Sequence, residues 1–176
     1  MPYLSYTRNS DNFMEVLLRD PKRYLPIVEF IDNVTQGLSE LGWGECELIM
    51  TEVSKVNRSA FCLGIRKGVT QALKADDSAL KRDRLAPVLA FALKLNQDAS
   101  AITQGDVQDV LDAGWSEQTV EDVVGLVAIQ RLYNTIAAGL GFRALPEAVF
   151  AEMGEATVQQ RGYLPMFRAF MEQTGP

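Results

Sequence analysis

The stretch AITQGDVQDVLDAGWSEQTVEDVVGLVAIQRLYNTIAAGLG, Ala101 to Gly141, spells out two helices and the punctuation between them. Thr103 and Asp106 form a capping pair, in which each side chain answers a backbone N–H that the first helical turn leaves open. Gly114 stops the first helix, and Ser116 starts the second. Val120, Val123, Val124, Val127 and Leu132 line that second, long helix, and Gly139 to Gly141 end it. "GLG" is therefore a C-terminal stop and not a phosphate loop. A helix this apolar must bury most of its circumference, which sets it at the centre of a core.

Working outward, "RDPKRYLPIVEFIDNVTQGL" offers Asp20 as N-cap and Pro21 at the first helical position, with Leu25, Val28, Ile31 and Val34 on one face. Pro26 marks a late start or a kink. "ECELIMTEVSKV" repeats the pattern through Leu48, Ile49, Val53 and Val56, and a further helix begins near Ser59, whose hydroxyl suits a cap. Lys74 to Arg84 reads as an exposed charged connection before a helix carrying Leu85, Val88, Leu89, Ala92 and Leu93. Shorter helices follow around "PEAVFAEM" and "LPMFRAFMEQ". No strand run bounded by hairpin turns interrupts this series, so the fold class is all-α.

At 176 residues with 47% hydrophobic content, the chain can bury one real core and is too short for two comfortable domains. A single domain over 1–176 is expected. Its net charge of −6 gives no electrostatic reason to approach nucleic acid or an anionic membrane. The N-terminus lacks a secretory pattern, and runs such as "LAPVLAFAL" are too short to span a bilayer, so a soluble, cytoplasmic protein is expected. Two cysteines, Cys46 and Cys62, are free thiols by default in a reducing compartment. The chain has no histidine. That removes Ser-His-Asp and Cys-His arrangements, histidine metal sites and any imidazole base. No metal or cofactor is expected, and chemistry must rest on Glu, Asp, Lys, Tyr, Cys or water.

Three segments carry a family resemblance: "SELGWGECELIMTEVSKVNRSAFC", "RLAPVLAFALKLNQDASAITQGDVQDVLDAGWSEQTVEDVV" and "LYNTIAAGLG". Over roughly residues 38–142 the chain resembles the alkylhydroperoxidase AhpD-like and carboxymuconolactone decarboxylase group, in its peroxidase-related branch. The resemblance implies a multi-helical AhpD-like bundle, with helical extensions on either side of that core, and a homo-oligomer (dimer, trimer or hexamer). The family's motif is Glu, eleven residues, Cys, two residues, Cys, three residues, His. Here its positions fall on Glu47, Ser59, Cys62 and Arg66. The resemblance implies that Cys62 attacks a peroxide and Glu47 relays the proton. Ser59 and Arg66 stand where the resolving thiol and the imidazole would be, so an external thiol reductant would have to regenerate Cys62.

The residues also speak for themselves. A helix starting at Ser59 puts Cys62 in its first turn, where open N–H groups stabilise a thiolate, and Arg66 four residues on shares that face. Its fixed charge should lower the thiol pKa, yet it cannot exchange protons as histidine does. Cys62 reads equally as a small core side chain, Glu47 as a first-turn acid, Ser59 as a plain cap and Arg66 as part of a solvated face. Cys46 reads as core filler. In the long helix, Gln130, Arg131 and Asn134 face a cleft or a subunit boundary, or form a solvated stripe, and Tyr133 donates into a pocket or simply packs. Three functions stand open: a single-cysteine peroxide reductase, a non-catalytic binding or scaffold protein, and a decarboxylase-type lyase, the last also short of an imidazole.

Overall fold

The computed structural model describes residues 3–5, 13–36, 39–75 and 84–174. Among them are nine α-helices and no strand: α1 Phe13–Arg19, α2 Pro21–Gln36, α3 Trp43–Val56, α4 Ala60–Ala72, α5 Ala86–Gln97, α6 Gln104–Asp112, α7 Glu117–Leu140, α8 Glu147–Gln159 and α9 Tyr163–Thr174. A 3-10 turn, Ala99–Ala101, joins α5 to α6. The charged connection expected over Lys74 to Arg84 lies mostly outside the described residues.

The expected helix boundaries form where local chemistry sets them. Asp20 Oδ1 accepts from the Arg23 N–H at 3.2 Å, and α2 starts at Pro21 and continues through Pro26, so its start is not late. Asp106 Oδ2 accepts from the Thr103 N–H at 2.7 Å, while the Thr103 hydroxyl accepts from the Asp106 N–H at 3.4 Å. Asp106 also receives Lys94 Nζ at 2.6 Å, which ties α5 to α6. Ser116 Oγ accepts from the Thr119 N–H, and Gly114 and Gly141 take φ of +86° and +79° at the ends of α6 and α7. Both angles lie where side chains strain the backbone.

Around α7 pack α2, α3, α4, α5 and α6. Its buried face is Val123, Leu126, Val127, Ile129, Gln130, Tyr133, Asn134 and Ala137, at helical spacing. Val124 and Leu132, expected to line the core, are 42% and 39% exposed, because a 3.6-residue repeat that turns 123, 127, 130 and 134 inward carries them off that face. By length and composition α7 could cross a bilayer. Its buried polar side chains and its packing on five helices account for it as a core helix.

Among the described helices, α4 and α8 pack most closely. A Cβ on Gly68 would stand 2.0 Å from the Phe150 carbonyl oxygen, and one on Gly154 would stand 2.2 Å from the Gly68 carbonyl. Only hydrogen fits at either position, so these glycines set the distance between the two backbones. That contact holds α8 against the helix that carries Cys62.

Candidate functional site

The chain reverses from α3 to α4 at Asn57 and Arg58, with Arg58 at φ +53°. The reversal is fixed by a reciprocal amide pair, Asn57 Nδ2 to Asn96 Oδ1 at 3.1 Å and Asn96 Nδ2 to Asn57 Oδ1 at 2.9 Å. It turns α4 back along α3, so that Glu47 and Arg66 meet between them. Ser59 holds the N-cap position of α4, and its carbonyl accepts from the Leu63 N–H at 2.8 Å. Its hydroxyl makes no cap bond, contrary to expectation, and pairs with the Cys62 thiol instead.

Glu47 is fully buried and Arg66 is 4% exposed. Arg66 Nη1 lies 3.2 Å from Glu47 Oε2, and its Nε donates to Gln130 Oε1 at 2.8 Å. Arg66 Nη1 also donates to the Tyr163 hydroxyl, which in turn donates to Glu47 Oε1 at 2.6 Å. Trp43 Nε1 donates to the same oxygen at 3.1 Å. Behind Gln130, its Nε2 donates to Ser54 Oγ at 2.6 Å and to Asn134 Oδ1 at 3.0 Å. The result is a closed, buried polar ring assembled from α3, α4, α7 and α9. Burial works against the Arg66 charge, but the Tyr163 and Glu47 oxygens outweigh it and keep the guanidinium protonated beyond its ordinary value.

Cys62, one turn before Arg66, is 5% exposed. Burial pushes its thiol pKa up, against smaller lowering from the Ser59 hydroxyl and the Arg66 charge. The expected lowering by Arg66 is present and loses to desolvation. Burial likewise raises Tyr133 and, further, Tyr163. Cys46 is fully buried and its thiol is raised by desolvation, as fits a core side chain.

Cys62, Ile65, Arg66, Gln130, Tyr133 and Tyr163 wall one side of a cavity of about 140 Å³. Val28, Ile31 and Phe61 are its buried base, and half-buried Met14, Met153, Met166 and Phe170 form its rim. Tyr133 therefore lines the cavity. Asn134 lies in the hydrogen-bonded layer behind it, with Nδ2 left without a partner among the described residues. Arg131 is exposed. No cluster of three or more carboxylates or thiols is placed to hold a metal among the described residues.

Three participants, Trp43, Ser54 and Tyr163, were not singled out by sequence. Trp43, one turn before Glu47, was within reach of helical spacing. Tyr163 was not, because it stands 116 residues from its Glu47 partner and beyond the 38–142 core.

No family model matches the chain, and no curated protein matches it. Among solved structures it is similar to an uncharacterized peroxidase-related protein from Silicibacter sp. TM1040, with 18% identity over 77% of each chain and a TM-score of 0.71. It is also similar to an alkylhydroperoxidase AhpD core, an uncharacterized peroxidase-related protein from Ralstonia eutropha JMP134. That match has 22% identity over 80% of this chain and 78% of the other, with a TM-score of 0.66. At these identities the likeness is one of fold, and the fold of this chain is the AhpD-like helical bundle.

Proposed function

We propose that the chain is a non-catalytic small-molecule-binding protein built on the AhpD-like fold. The observation that carries this reading is the closed ring around Arg66. Its Nε and Nη1 are taken up by Glu47, Tyr163 and Gln130, while Cys62 beside it stays a protonated thiol at the wall of an apolar cavity. A peroxidatic site needs a thiolate and a group that moves protons. Here the thiol is neutral and its neighbour is a permanently charged guanidinium. What remains usable is the cavity itself. The test is to treat the protein with peroxide at neutral pH and read Cys62 by mass spectrometry. Unmodified Cys62 is the expected result, and rapid stoichiometric oxidation would sink the reading.

A second reading is favoured by one observation: the Ser59 hydroxyl and the Arg66 charge both pull Cys62 toward the anion. In it the Cys62 thiol gives up its proton, with Glu47 as relay, its thiolate attacks the terminal OH oxygen of a hydroperoxide, the O–O bond breaks, and the alkoxide takes up that proton and leaves as an alcohol, giving a sulfenic acid. Two equivalents of an external thiol then return the thiol, releasing water and forming a disulfide. With Ser59 in place of a resolving cysteine, the sulfenic acid would persist or over-oxidise, and Ser59→Cys would divert it to a disulfide with Cys62. Peroxide consumption that depends on added thiol and is lost in Cys62→Ser would establish this reading over the first.

A further inference from the structure

Three features of the cavity define what it can hold. The first is size. At about 140 Å³ it is close to the roughly 150 Å³ space known to admit one benzene ring, so a single ring with a small substituent fits it.

The second is charge. Among the described residues the ionised side chains at the wall are Arg66 and, directly behind it, Glu47, and they neutralise each other at 3.2 Å. A carboxylate or ammonium entering the cavity would be buried without a counter-charge, which costs far more than a neutral group of the same shape.

The third is the hydrogen-bond inventory. Gln130, Tyr163 and Thr157 have their polar atoms engaged. Tyr133 lines the cavity and its hydroxyl has no hydrogen-bond partner among the described residues, and Arg66 uses Nε and Nη1 for its bonds, leaving Nη2 without one among them. Both open groups can donate, and Nη2 can only donate.

From these we propose that the cavity binds an uncharged, one-ring organic molecule bearing a single hydrogen-bond-accepting oxygen, a ketone, ether or ester, set against Tyr133 and Arg66. The proposal rests on the binding reading above and names its ligand class.

The experiment uses the full chain and four probes: acetophenone, benzoate, ethylbenzene and 2-acetylnaphthalene. Affinity is read by calorimetric titration, and occupancy of this cavity by protection of Cys62 from N-ethylmaleimide at alkaline pH. Acetophenone should bind at least about tenfold tighter than benzoate, since 1.4 kcal/mol of charge-burial cost already gives that ratio. It should also protect Cys62. Tyr133→Phe should weaken acetophenone about three- to tenfold, the worth of one hydrogen bond, and leave ethylbenzene unchanged. Ala156→Trp, at an exposed rim position, should abolish both binding and protection. Benzoate or 2-acetylnaphthalene binding as tightly as acetophenone would overturn the ligand class. So would acetophenone failing to bind, or binding without protecting Cys62. Rapid peroxide oxidation of Cys62 has a different meaning: it removes the non-catalytic reading and leaves the ligand class standing.

Discussion

Replacing Arg66 with methionine keeps most of the side-chain volume and removes the charge. Glu47 then remains fully buried, with Trp43 and Tyr163 its remaining donors among the described residues, and Gln130 Oε1 loses its donor. Breaking one side of a buried ion pair costs about 3–5 kcal/mol, and an orphaned buried acceptor adds about 1–3 kcal/mol. A loss of about 4 kcal/mol corresponds to a fall in Tm of roughly 8–16 °C for a chain of this size. Glu47→Leu should cost a similar amount by stranding the guanidinium. The double variant Glu47→Leu with Arg66→Met carries no stranded charge, so it should cost less than the sum of the singles by at least about 2 kcal/mol. Urea unfolding followed by circular dichroism, with m-values compared across the cycle, measures all four corners. Two outcomes refute the reasoning: Arg66→Met costing under about 1 kcal/mol, or the singles adding to within about 0.5 kcal/mol.

The raised thiol of Cys62 predicts slow alkylation at pH 8 relative to a cysteine peptide, with the rate climbing as pH increases. Because its folded pKa lies above the unfolded value, its contribution to stability is full below about pH 8.5 and is lost as pH rises through the folded value. Tyr133 and Tyr163 act in the same sense above about pH 10, so the urea midpoint should fall progressively on the alkaline side. Gly68→Ala should destabilise by about 1–3 kcal/mol or more through its collision with the Phe150 carbonyl. Gly139→Ala, where nothing lies within 4 Å, should instead be neutral or stabilise by about 0.5–1 kcal/mol, and differential scanning calorimetry separates the two. Self-association through the exposed apolar side chains Val124, Leu132 and Phe30 is a further proposal. A monomeric mass by light scattering at micromolar concentration would count against it.

The helices were legible because their signals are local. Asp20, Thr103, Asp106, Gly114 and Ser116 each act within one turn, and the structure puts each at the boundary its chemistry prescribes. That Cys62 and Arg66 share a face also follows from their four-residue spacing. What the spacing could not reveal is where Arg66 would find its partners. Gln130 is 64 residues away and Tyr163 is 97, so the ring exists only once α7 and α9 have docked. The same distance hides the state of Cys62. One residue's neighbours can suggest a cation nearby, whereas desolvation is the sum of every helix that covers it. For Val124 and Leu132 the limit was angular: several apolar residues in a row on a long helix leave its inward face ambiguous until the polar pair Gln130 and Asn134 is known to be buried.

The rim of the cavity has a consequence for any cell that meets an oxidant. Met14, Met153 and Met166 are half-buried thioethers that line the same cavity as the more deeply buried, protonated Cys62. Thioethers need no deprotonation to take an oxygen atom, so peroxide entering the cavity meets three ready acceptors that are more exposed than the thiol. Each sulfoxide turns a pliable apolar side chain into a polar one at the entrance of an apolar space. Oxidative damage to this protein would thus begin as a change of wetting at the doorway, reversible by sulfoxide repair, while the sulfur deeper in stays reduced.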